Sequence, residues 1–201
     1  MEFFIQPCPP ALAPLQQWLA PYAELVGLPT LPQHVHQVLG ALFFYELIYL
    51  VLSPMLSRLL MPKLYASFPK RTQINWDVHV VSFVQSVFIC TLALWGMRYD
   101  AAWAVGHTMA DPREALKHRL FATTVTGGAV TGYAVGYFIW DLFISVYHVA
   151  IMGPGFVAHG FAALLVFSLG FVRGPLPPAR TRLTRAAAPV PALLRARVHP
   201  V

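Results

Sequence analysis

GGAVTGYAVGYFIWDLFISVYHVAIMGPGFVAHGFAALLVFSLGF, running from Gly127 to Phe171, decides the fold of this chain. It is apolar and studded with glycine, and Gly153-Pro154-Gly155 interrupts it with a tight turn. It therefore predicts an antiparallel pair of membrane-spanning helices. Inside those helices stand one carboxylate, Asp141, and two histidines, His148 and His159. Lipid is a poor solvent for such groups, so each must face protein or a cavity. His148 lies five residues before the turn and His159 four after it, which puts both near one membrane face. Asp141 lies about two turns deeper.

The first half of this stretch carries two helical stripes. Gly128, Gly132 and Gly136 recur every fourth residue, a seam of small residues that lets another helix backbone come close. Tyr133, Tyr137, Asp141, Ser145 and His148 form a second, polar stripe. Residues 121–152 are too long for one upright helix and too short for two. They predict one tilted or kinked span led by a loosely helical Thr/Gly segment, and residues 156–172 predict the next.

Composition agrees. Of 201 residues, 57% are hydrophobic and 11% charged, with a mean hydropathy of +0.59. So few charges cannot cover that much apolar surface in water, which excludes a soluble globular domain and predicts an all-α, polytopic transmembrane bundle. No removable signal peptide is recognisable, and the first span is expected to act as the targeting signal. Cys8 and Cys90 make neither a disulfide framework nor a zinc site, and Cys90 reads as a small buried filler. The net charge of +6 is no sign of nucleic acid, because six of the fourteen basic residues crowd into the last 29 positions.

Upstream, residues 35–60 predict the first span, with Glu46 in its middle and Pro54 near its end. Residues 58–75 hold Arg58, Lys63, Lys70 and Arg71 and no acid, so this loop is expected on the cytoplasmic side, with the N-terminus opposite. Residues 76–97 predict the second span, with Trp76 and Trp95 at its ends. His79, Ser82, Ser86 and Cys90 share one face of it, with Gln85 beside them, and that stripe is expected to face protein. In the connection at 98–119, Asp111-Pro112 predicts the start of a short surface helix. Residues 1–33, with seven prolines, predict an interfacial segment too broken to span, with Trp18 and Tyr22 at headgroup level. Residues 173–201 carry six arginines and no acid, without helical period. They predict a disordered tail foreign to the packed domain, of the kind a mispredicted gene end leaves.

Three segments resemble the TLC-domain family, and within it the small fungal-type members. NWDVHVVSFVQSV at 75–87 is similar to the family's second-helix pattern. GYAVGYFIWDLF at 132–143 resembles its Gly-Tyr…Asp signature, with Asp141 in the Asp position. FVAHGFAALLVFSLG at 156–170 resembles the segment where many members carry a His-His pair. The match covers roughly residues 35–172. It implies a helical membrane domain of roughly six spans, of which four are legible here, consistent with C-terminal truncation. It also implies a location in the endoplasmic reticulum or a related endomembrane. Its best-known members are ceramide synthases, which transfer an acyl group from acyl-CoA to a sphingoid base. This chain departs from them in following His159 with Gly160. It also carries Gln85 where related small members often have a histidine.

Two chemistries follow. Acyl transfer needs a base for the amine proton and donors for the oxyanion. His159 could act as base, oriented by Asp141, with His148, Tyr137 or Gln85 as donors. In the other reading these groups, with Glu46 and His79, line a polar cavity or lock the helices together, and the protein handles lipids without catalysis. The single histidine at 159 favours the second. A transporter or translocation accessory is a third reading, but the inverted repeats typical of transporters are not visible. The expected partners are membrane lipids, with acyl-CoA or a sphingoid base under the catalytic reading. No cofactor is expected. Nor is a metal, since Asp141, His148 and His159 match no metal motif.

Overall fold

The computed structural model describes residues 1–100, 109–121 and 124–172, and among these every regular element is helical. After a short 3-10 turn at Glu2–Ile5, helix α1 spans Ala13–Leu25. The first span, Leu31–Leu60, is built from α2 (Val35–Leu47), a π-helical turn (Ile48–Leu52) and α3 (Ser53–Leu60). Helix α4 (Pro62–Ser67) leads into α5 (Lys70–Tyr99), the second span. The surface helix predicted from Asp111-Pro112 is α6 (Pro112–Phe121), and the Asp111 carboxylate accepts the Arg113 N–H at 2.8 Å. The third span is α7 (Val125–Tyr147), followed by the single turn α8 (Val149–Met152). The fourth span, Pro154–Phe171, is α9 (Pro154–Ser168) plus a 3-10 turn. The arginine-rich segment 173–201 lies outside the described residues.

All four spans are long and apolar enough to cross a membrane, so the chain is a multi-pass membrane protein. The third span is the hub. In its apolar centre 56% of the residues are buried, against 11% in the fourth, and it packs on the other three spans. The glycine seam makes this possible. Gly132 faces the Gln37 side chain and the His34 backbone, and Gly136 lies on the Val38 carbonyl and the Ala41 methyl. Gly153, at φ 91°, makes the turn between α8 and α9, and Pro154 then opens α9 with φ preset for a helix.

One feature of the first span is not legible in its hydropathy. Pro54 has no N–H to offer the carbonyl four residues back and crowds it. The turn before Pro54 widens, and the Ser53 N–H bonds Ile48 O, five residues back.

The start of the first span meets the end of the fourth at one end of the bundle. Thr30 donates its hydroxyl to the Phe171 carbonyl at 2.7 Å, and the His34 and Phe171 rings stack at 6.0 Å. The N-terminal segment packs on this end. The Phe4 ring meets Phe88 at 5.2 Å, and Tyr133 donates its hydroxyl to the Phe4 carbonyl at 3.2 Å. Trp18 and Tyr22 are exposed side by side, 5.2 Å apart.

The polar stripe expected on the second span does not hold together. Gln85 is buried and Ser82 half-buried, but His79, Ser86 and Cys90 are exposed on the outer face of α5. His79 is thus not a cavity-lining residue of the described bundle, and Cys90 is not a buried filler. The Ser86 hydroxyl and the His79 ring instead bond their own helix backbone. Ser86 donates to the Ser82 carbonyl at 2.8 Å, and His79 Nδ1 lies 2.7 Å from the Asn75 carbonyl.

Candidate functional site

Besides the buried Thr30, His34, Gln37 and Thr126 at the Phe171 end, polar side chains inside the bundle form two tiers. At mid-depth, the Tyr45 hydroxyl donates to Gln85 Oε1, tying the first span to the second. Tyr137 and Ser82 share a hydroxyl hydrogen bond of 2.9 Å, tying the third to the second. The Trp140 indole N–H donates to Glu46 Oε2 at 2.9 Å, tying the third to the first. Tyr45 meets Tyr137 edge-on at 5.4 Å, and Trp140 lies 5.9 Å from Tyr137. Tyr45, Gln85, Tyr137 and Trp140 are all buried. Each therefore makes a polar contact with a neighbouring helix, which is how membrane bundles keep such groups out of lipid.

Asp141 stands beside this tier. It is buried on α7, and its carboxylate faces Gly160 of α9. Gly160 is the one buried residue of α9, and a Cβ there would lie 3.3 Å from the Leu142 Cα of α7. The position that follows His159 is therefore tight even for a methyl group, and a second imidazole there would have to displace α9. His159 itself is exposed. It acts on Asp141 electrostatically, with no hydrogen bond between them among the described residues. Ser145, one turn beyond Asp141, is fully buried, and its hydroxyl has no partner among the described residues.

The second tier lies at the basic-loop face, and sequence reasoning missed most of it. Asp77 is buried and accepts two hydroxyls, Ser53 at 2.6 Å and Tyr65 at 2.8 Å. Burial first, and then the hydrogen bond to Asp77, push the Tyr65 hydroxyl up to about 12, so it remains a neutral donor. The Trp76 indole donates to Ser57 Oγ at 2.9 Å. His148 closes the tier, its Nε2 lying 2.9 Å from the Tyr49 hydroxyl. Burial, and secondarily the Lys70 charge, hold this imidazole below its ordinary value, favouring the neutral ring. His148 is thus engaged with the first span rather than with Asp141. Among the described residues no group of three His, Cys, Asp or Glu side chains is placed to hold a metal ion.

A signal for Asp77 does exist in the sequence. Asp77, Val81 and Gln85 are spaced by four and are all buried on one face of α5. Its partners come from 12 and 24 residues earlier, a pairing that no local pattern displays.

Four apolar spans around an interior of paired hydroxyl, amide, indole and carboxylate groups define a multi-pass helical membrane protein with a polar core. The chain belongs to the TLC-domain family, whose profile matches residues 75–179. It is 38% identical over 157 residues to an uncharacterised TLC domain-containing protein of Schizosaccharomyces pombe, covering 78% of this chain and 49% of that one. It is 26% identical over 137 residues to the Topoisomerase I damage affected protein 4 of Saccharomyces cerevisiae, covering 68% of this chain and 44% of that one. The chain thus spans about half the length of these curated relatives. No solved structure matches it.

Proposed function

We propose that this protein handles membrane lipids in the endoplasmic reticulum or a related endomembrane, contributing to lipid homeostasis without catalysing a reaction. One observation carries the reading: His159, the base that acyl transfer would need, is not held at the buried Asp141. Gln85 and Tyr137 are bonded to Tyr45 and Ser82, and His148 to Tyr49. His159, the expected base, is exposed and makes no hydrogen bond to Asp141, and a second ring at Gly160 would have to displace α9. A general base must come within hydrogen-bond reach of the proton it takes and be held there.

The test pairs a cellular assay with a biochemical one. Cells lacking the gene are complemented with wild type, His159→Ala or Asp141→Asn, and their sphingolipids and glycerolipids are profiled by mass spectrometry. The purified protein is given radiolabelled acyl-CoA and sphinganine. The reading expects a lipid profile that wild type and H159A restore equally, and no labelled amide. Amide formation that H159A abolishes would replace it with the acyltransferase reading. A profile unchanged by loss of the gene would leave neither.

A further inference from the structure

The 3-10 turn Glu2–Ile5 and the residues after it lie as a strap on the bundle end away from the basic loop. Phe4 meets Phe88 of the second span and Tyr133 of the third, at ring distances of 5.2 and 6.2 Å. With Met1 it walls a cavity of about 380 Å³ against the second span. The next fixed point of the strap is polar. The Gln6 carbonyl faces His36 Nε2 at 3.0 Å and accepts from Gln37 Nε2 at 3.4 Å. Cys8 meets the backbone N–H of His36. Helix α2 starts at Val35, so that N–H is one of the first-turn donors that the helix itself cannot serve.

A carbonyl oxygen only accepts, so the contact with Gln6 puts the proton of the neutral His36 ring on Nε2. Nδ1 is then the bare nitrogen, and it is buried without a partner among the described residues. A neutral ring tolerates this. An imidazolium does not, because its second N–H would be a buried, charged donor with no acceptor. While Nε2 stays on Gln6, Nδ1 stays inside, and a ring that turns Nδ1 to water lets go of Gln6. The titratable neighbours are Cys8 on the strap, His34 on the same chain turn and Tyr133 of the third span, which donates to the Phe4 carbonyl. Glu2, also on the strap, is exposed. Thiol, phenol and carboxyl groups ordinarily titrate near about 8.5, 10 and 4.3, and burial raises the Cys8 thiol further. Between pH 5 and pH 8 the imidazoles of His36 and His34 are the groups that change charge at this end.

We propose that His36 is an acid-sensitive latch: its neutral ring holds the N-terminal strap on the bundle through Gln6, and its protonation releases the strap and lifts Phe4 off Phe88 and Tyr133. The device is separate from the Asp141 centre and goes beyond the lipid-handling function proposed above. A lipid profile unaffected by the gene would leave it standing, and failure of the latch would leave that function untouched.

The experiment is hydroxyl-radical footprinting of the full chain in phosphatidylcholine nanodiscs between pH 8 and pH 5, read by mass spectrometry. Phe4 is half-buried and its neighbour Phe3 is 81% exposed, so the ratio of Phe4 to Phe3 oxidation follows the strap and cancels the radical dose. In the wild type the ratio should rise severalfold on acidification, the opening constant growing by up to about tenfold per pH unit, the slope of one proton. His36→Gln keeps an amide donor for the Gln6 carbonyl but cannot take a proton, so its ratio should stay low throughout. His36→Asn is too short to reach Gln6, and its ratio should already be high at pH 8. A wild-type ratio unchanged between pH 8 and pH 5 would overturn the proposal. So would an H36Q protein that opens as the wild type does, which would move the switch to His34, or an H36N protein as closed as wild type at pH 8.

Discussion

Gly160 meets Asp141 so closely that a Cβ at position 160 would stand 3.1 Å from the carboxylate Oδ2 and 3.3 Å from the Leu142 Cα. The carboxylate can swing aside, but the Leu142 backbone cannot. Gly160→Ala should therefore cost about 1 kcal/mol, the low end for overpacking a tight contact. Gly160→His, which restores the paired histidines of the ceramide synthases, should do far worse, because a ring there must push α9 off α7. The check is the melting temperature of the purified protein in detergent. A G160H protein as stable as wild type would show that α9 has room to move.

The seam between the first and third spans offers a sharper contrast. A Cβ at Gly136 would press on the Val38 carbonyl and lie 2.7 Å from the Ala41 methyl carbon, whereas one at Gly40 would meet nothing within 4 Å. Gly136→Ala is expected to destabilise by about 1–3 kcal/mol. Gly40→Ala is expected to be neutral or to stabilise by up to about 1 kcal/mol, since alanine is the better helix former. Unfolding of both variants by sodium dodecyl sulfate titration reads the difference directly. Equal costs at the two positions would mean that the seam does not carry the packing.

The glycine seam, the spans and the Gly153 turn were legible because each is written in local spacing. A period of four in small residues, or a Gly-Pro-Gly between apolar runs, has few structural solutions in lipid. Asp141 and His159 were legible as residues but not as a pair, because whether they bond depends on where α9 lies across Gly160. The stripe from His79 to Cys90 does not pack inward among the described residues, because hydroxyl and imidazole groups such as Ser86 and His79 can bond their own helix backbone. The Asp77 tier was hidden by distance along the chain. Its donors Ser53 and Tyr65 lie in segments that read, taken alone, as a helix end and a loop.

His148 gives the fold a pH dependence with a defined sign. Burial and Lys70 lower its proton affinity in the folded protein, from 6.5 in the open chain. Between those two values the unfolded chain binds more protons than the folded one, so stability falls as pH drops below about 6.5. Above that pH the contribution is fully present, and below the folded value the loss levels off. A neutral ring is also the form able to accept the Tyr49 hydroxyl 2.9 Å away. Melting temperatures of wild type and His148→Asn between pH 5 and pH 8 should therefore converge on acidification. Parallel curves would mean that another group governs the acid limb.

Asp77 is expected to be the most sensitive carboxylate in the bundle. Its two oxygens each accept one hydroxyl, Ser53 on Oδ1 and Tyr65 on Oδ2, and all three residues are buried. Hydrogen bonds to a charged group contribute about 1.5–3 kcal/mol in water-soluble proteins and less, about 0.6–1.7 kcal/mol, between membrane helices. Tyr65→Phe should thus cost about 1–2 kcal/mol, because it removes one donor and leaves the carboxylate half-served. Asp77→Ala should cost more than Ser53→Ala or Tyr65→Phe alone, since it strips both hydroxyls of their acceptor. The S53A/Y65F double variant should lose more than the sum of its parts, because the second loss leaves a buried charge with no donor. A detergent-unfolding cycle over these variants measures that coupling, and strict additivity would mean that water reaches Asp77 and the clamp is open.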